Sequence, residues 1–131
     1  MKNIFKPGDK KTYTHRVVES DLAHFETGTV HRLYSTFAIA RDAEWDTRLF
    51  VLEMKESDEE GIGTFVHVDH HSPAFPGEEI LFVAEVESIS GNEIICKFVA
   101  SAGERKIASG KTGQKILKRE KLERIFAAIQ P

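Results

Sequence analysis

The order of segments in this chain predicts an α+β fold, a curved antiparallel sheet of about five strands wrapped around one long central helix. Three observations carry it. A run of good helix formers spans Ser35–Met54 without a Pro or Gly. Period-two alternation of apolar and polar residues recurs in four later stretches. Pro-Gly, Gly-Asn and Ala-Gly steps separate those stretches and turn the chain between neighbouring strands.

Taken in order, Lys11–Val18 alternates and is β-branched enough for a first strand after Pro7-Gly8. Glu19–Ser35 reads as a surface loop with a short helical turn capped by Ser20-Asp21 and broken at Thr27-Gly28, an entry rim or lid. The central helix follows, with Ser35 or Thr36 as N-cap. Thr36, Ala40, Ala43, Glu44, Thr47, Val51 and Met54 fall near one stripe, whose small residues let the helix lie close to a sheet. Arg41, Asp42, Asp46 and Arg48 read as solvated or interface charge. Gly61-Ile62-Gly63 opens the next strand. In it Thr64, Val66, Val68 and His70 share the core-facing side, and Phe65, His67, Asp69 and His71 the other. Glu79–Ser88 turns Ile80, Phe82, Ala84 and Val86 inward, and the next strand Ile94, Cys96, Phe98 and Ala100. Arg105–Leu117 keeps one face small at Ala108, Gly110 and Thr112. Leu122, Ile125, Phe126 and Ile129 make Glu120–Gln130 an amphipathic closing helix.

The 131 residues suit one domain, 1–131. At 40% hydrophobic, 30% charged and a net charge of −3, the composition is that of a soluble protein with no nucleic-acid or membrane partner. The start Met1-Lys2-Asn3-Ile4 has no apolar leader, and no stretch approaches the roughly 20 apolar residues that span a bilayer. The single cysteine, Cys96, forms no internal disulfide, and a cytoplasmic location is expected. It lies within an apolar alternation, as a packing residue does.

Three residues stand out chemically. Glu44 is a carboxylate between small and apolar neighbours, Thr36 lies at a helix start, and His70 ends the core-facing side of its strand. Each also has a plain reading, as solvated helix residue, N-cap and satisfied core histidine. Together they bring a carboxylate, a hydroxyl and an imidazole able to move protons near neutral pH. The cluster His67, Asp69, His70 and His71 invites a metal, but alternation splits His70 from the rest, so no metal is expected.

At Thr36, Glu44-Trp45, Gly63-Thr64, His70 and Pro76-Gly77 the chain resembles hotdog-fold thioesterases, most of all the fluoroacetyl-CoA thioesterase group. In that group a Thr begins the central helix, a Glu-Trp pair follows eight residues on, and a strand opening Gly-Thr ends in a His before Pro-Gly. The resemblance spans roughly residues 30–128. It implies a dimeric hotdog fold and hydrolysis of an acyl-CoA or acyl-carrier thioester to free acid and thiol. Thr36, Glu44 and His70 would be catalytic, and Gly63 and Thr64 would lie against substrate. Coenzyme A would enter only as part of the substrate, with no other cofactor. The family's basic residue on the last long strand falls on Gln114 here, and its aromatic gate near Val30, so the class is implied and fluoroacetyl specificity is not. A catalytically silent acyl-CoA-binding hotdog module is the alternative. Open sheet edges further imply a homodimer joined edge to edge.

Overall fold

Alternation in four long segments dictates a half-buried antiparallel sheet, and the chain builds one. The computed structural model describes residues 1–131. Its elements are β1 (Lys10–Arg16), a 3-10 turn (Glu19–Asp21), β2 (Leu22–Phe25), β3 (Gly28–Tyr34), α1 (Thr36–Met54), β4 (Glu59–His70), β5 (Glu79–Ser90), β6 (Glu93–Ala102), β7 (Arg105–Lys118) and α2 (Arg119–Ile129). The main sheet has the order β1-β5-β6-β7-β4, every pairing antiparallel, and α1 contacts all five strands.

The inner faces of β5 and β6 are those the alternation predicts: Ile80, Phe82, Ala84, Val86, Ile94, Cys96, Phe98 and Ala100 are all buried. Each large side chain among them contributes about 2 kcal/mol of burial. They pack into two clusters along α1. One surrounds Ala38, Ile39 and Ala43 and the other Phe50, Val51 and Met54.

Two expectations need correction. The segment read as a loop with a short helix is instead a 3-10 turn followed by the β2–β3 hairpin, closed by Gly28 at φ 112°. Its side chains are largely exposed and its register slips twice, so no alternation announces it. The buried stripe of α1 is also rotated. Ala43, Thr47, Val51 and Met54 are buried as expected, but Ala38, Ile39, Phe50, Asp42 and Asp46 join them, and Thr36 is exposed. On α2 only Leu122 is buried.

The two buried aspartates of α1 have opposite fates, and a third, Asp21, shares that of Asp42. Asp42 accepts hydrogen bonds from Tyr34 Oη and the Arg41 guanidinium. Asp21 accepts from Arg41, His15 Nε2 at 2.7 Å and the Val18 amide. Burial alone pushes the Asp21 carboxyl up, but these three bonds outweigh it and hold it below the usual carboxylate range. Asp46 is fully buried between the two clusters and neither carboxylate oxygen has a hydrogen-bond partner. Burial pushes its pKa up to about 7; the Ala84 amide and Lys11 pull the other way without satisfying either oxygen. Thr112 Oγ1 is also buried without a partner.

The sign follows. Unfolded Asp titrates near 3.9, so between about pH 4 and 7 the folded chain holds a proton the unfolded chain has lost, and stability falls as pH rises through that window. The full loss is on the order of 4 kcal/mol. Asp46→Asn should flatten the slope of unfolding free energy between pH 4 and 7; urea melts across that range that keep the wild-type slope would contradict it.

Candidate active site

Thr36 is spared the capping role by its neighbour. Ser35 is the N-cap of α1, its Oγ accepting from the Ala38 amide at 3.1 Å. The Thr36 side chain therefore has no capping task, and the Thr36 and Phe37 amides are left without intrahelical acceptors at the positive end of the helix dipole. His70, the last residue of β4, reaches over so that its Nδ1 lies 3.0 Å from Thr36 Oγ1. Beside them Phe25, at the hairpin tip, packs edge-on against Phe37 with ring centroids 5.9 Å apart.

Glu44 lies elsewhere in the protomer. Two helical turns on, about 12 Å along the axis, its half-buried carboxylate rests against Gly63, where a Cβ would collide with Oε1. It shares a surface pocket of about 320 Å³ with Arg41, Trp45, Arg48, Gly63 and Gln114. Gln114 is buried and donates to Thr47 Oγ1 at 3.1 Å. Within one chain, then, Thr36 and His70 meet and Glu44 stands apart with Gly63.

β4 explains how both positions face the helix. Glu59, Gly61 and Gly63 look toward α1, an odd-numbered set; a Cβ on Gly61 would strike Val51. Val68 packs on the core and His70 on Thr36, an even-numbered set. The switch is a bulge: Gly63 pairs with Gln114 and Phe65 with Gly113, leaving Thr64 as the extra residue. Thr64 Oγ1 and the Phe65 ring both crowd Gly113 on the face turned away from α1. This corrects the core-facing placement of Thr64, whose side chain points away from the Gly63–Glu44 pocket. His67 and Asp69 do lie on the outer face as expected, lining a groove of about 650 Å³ with Phe65, Val83, Val99 and Lys111. That larger cavity is on the opposite side of the sheet from Thr36 and Glu44.

No in-chain metal centre competes with this site. Ligand atoms of His15, Asp21 and Asp42 lie within 4.8 Å of one another, but the Arg41 guanidinium already bridges the two carboxylates. Burial, with Asp46 and Glu87 nearby, pushes the Cys96 thiol up to about 12, which suits packing and not nucleophilic attack.

Comparison with known proteins identifies the family and the fold. The profile of the fluoroacetyl-CoA-specific thioesterases matches residues 17–120. The chain belongs to that family. It is a hotdog-fold thioester hydrolase. A Thermus thermophilus hypothetical protein of the thioesterase superfamily superposes with a TM-score of 0.93 at 29% identity, over 98% of this chain and 95% of its own. A fluoroacetyl-CoA thioesterase superposes at 0.89 and 19% identity, over 98% of this chain and all of its own (100%). A hot-dog-like protein from Thermanaerovibrio acidaminovorans gives 0.87 at 18% identity, over 97% and 95%. No curated protein matches the chain. No helix is long and apolar enough to cross a membrane.

Gly63→Ala tests the family member's Glu44 pocket. The colliding atom is the end of a flexible side chain, so Tm should move by less than about 3 °C while thioester turnover falls at least about tenfold. Unchanged turnover in the folded variant would contradict the placement.

Proposed function

We propose that the enzyme hydrolyses an acyl-CoA thioester at a site shared between two protomers, with Thr36 and His70 from one and Glu44 and Gly63 from the other. The supporting observation is the 3.0 Å Thr36–His70 contact on a free sheet edge. β4 is twelve residues long, edges the sheet, and exposes Phe65 and Val66. Such an edge invites pairing with a second copy, whereas the other edge, β1, carries Lys10, Lys11 and Arg16, which discourage it.

The bulge sets the register of that pairing. Counting ladder steps on β7, where His67 pairs with Lys111, Gly63 and His70 are each three steps from His67. An antiparallel β4–β4 pair with its two-fold axis at His67 therefore sets Gly63 of the partner subunit opposite His70, both facing the helices. Within one chain Gly63 and His70 are roughly 20 Å apart along the strand; across the seam the spacing is about 5 Å. Glu44 of the partner subunit thereby reaches the thioester beside His70.

In this site the Glu44 carboxylate attacks the thioester carbonyl. The Thr36 and Phe37 amides hold the oxyanion, each such donor worth on the order of 3 kcal/mol. The tetrahedral intermediate collapses, the C–S bond breaks, and the thiolate takes a proton from His70, leaving a mixed anhydride. His70 then removes a proton from water, which cleaves the anhydride to free acid and regenerates Glu44. His70 Nδ1–H donates to Thr36 Oγ1, which orients the ring and leaves Nε2 to give and then take the proton. Phe25 and Phe37 wall the entry. Coenzyme A as the carrier is supported by the family, one of whose members has been solved with acetyl-CoA.

A panel of short, branched and aryl acyl-CoAs with free-thiol detection tests this. At least one should turn over, and His70→Ala and Glu44→Gln should each lower kcat by about 100-fold or more. Turnover that survives both changes would reject the assignment; tight acyl-CoA binding without thiol release would leave a silent binding module.

A further inference from the structure

Gln114 is the most deeply buried side chain of the Glu44 pocket, 3% exposed, and its hydrogen bonding fixes which way the amide points. We infer that Gln114 is a positioning residue whose amide oxygen holds the water that cleaves the anhydride; this rests on the shared site proposed above. Thr47 Oγ1 donates its only hydrogen to the Glu44 backbone carbonyl at 3.1 Å, so toward Gln114 it can only accept. It therefore takes the hydrogen of Gln114 Nε2, 3.1 Å away. Oε1 is left without a partner in the chain and opens on the pocket. The cations of the pocket are already engaged, Arg41 by Asp21 and Asp42 and Arg48 by Glu60. An amide oxygen so placed is costly unless an O–H or N–H reaches it, and hydrolysis itself brings an O–H.

The sheet sets the reacting groups around that oxygen. Gln114 pairs with Gly63, and Glu44 Oε1 rests where a Gly63 Cβ would lie. In the two-fold register Gly63 stands opposite His70 of the partner subunit, so Gln114 and that histidine are two strand spacings, about 10 Å, apart. Because Gly63 has no side chain, the space between them is a slot floored by glycine and roofed by Glu44. A water in the slot donates one hydrogen to Gln114 Oε1 and the other to Nε2 of the imidazole, which has just given its proton to the thiolate. The water oxygen bonds the acyl carbonyl carbon, the anhydride bond to Glu44 breaks, and Glu44 leaves as carboxylate. The hydrogen held by Gln114 stays with the released acid, and the other restores the imidazolium.

Stopped-flow thiol detection separates the two half-reactions, using whichever of acetyl-, isobutyryl- and benzoyl-CoA the wild type cleaves fastest. Gln114→Met keeps the length of the side chain and removes the acceptor. Its single-turnover thiol release should stay within about threefold of wild type while steady-state kcat falls at least about tenfold, so that a burst approaching one thiol per chain appears. Hydroxylamine, a stronger nucleophile that needs no such holding, should restore the steady rate and yield the acyl hydroxamate. Thr47→Val keeps the amide and removes its anchor, and should show the same split with a smaller loss. A kcat loss without a burst in both variants would make Gln114 a packing residue, and a raised KM with kcat kept would set it against the acyl group. Either result, or unchanged kinetics, would overturn the water's position and leave the shared site standing. A wild type that releases no thiol from any of the three would overturn both.

Discussion

The extra residue at Thr64 is the constraint on which the rest of the arrangement depends. A strand crossing under a close-packed helix must present small residues there, and Gly61 and Gly63 do so beneath Val51 and Glu44. Strict alternation from Gly63 would then aim residues 65, 67, 69 and 71 at the helix and turn His70 outward. One inserted residue reverses the parity, so that a glycine under Glu44 and a histidine on Thr36 occur on one face of one strand. The insertion also equalises the ladder steps from His67 to either end, as the proposed self-complementary pairing requires.

A second theme is how α1 handles buried charge. Near its start, Asp42 joins Asp21, His15, Tyr34 and Arg41 in a network that ties β1, the hairpin base and the helix together. This network fixes the helix end that holds Thr36, and every carboxylate in it is bonded. One turn on, Asp46 is buried with nothing to bond, a carboxyl kept by a protonated form where a hydrophobic residue would cost less. It marks the polar gap between the two halves of the core.

Much of this was legible in the residues. The inner faces of β5 and β6 were readable because one buried face leaves a clean period of two. Cap chemistry narrowed the N-cap to Ser35 or Thr36, of which the helix uses Ser35, and the parity of Val68 and His70 followed from alternation. The β2–β3 hairpin was not readable, since its exposed side chains and slipped register leave no periodic trace. Asp42 and Asp46 looked solvated because charge on a helix usually is; only the rotation of the buried stripe reveals otherwise. The bulge at Thr64 leaves no compositional mark apart from the glycine before it. The gap between Glu44 and His70 was invisible because a spacing in sequence does not state the angle at which a strand crosses a helix.

Glu44 works with the His70 of either its own chain or its partner, and the two cases differ in what a mixed dimer can do. Co-expression of His70→Ala and Glu44→Gln chains, each inactive alone, decides it. A shared site regenerates one intact centre in every mixed dimer, and with half the dimers mixed the pool should recover about a quarter of wild-type turnover. A pool as inactive as either parent, with mixed dimers present, would place all three residues in one protomer and contradict the account.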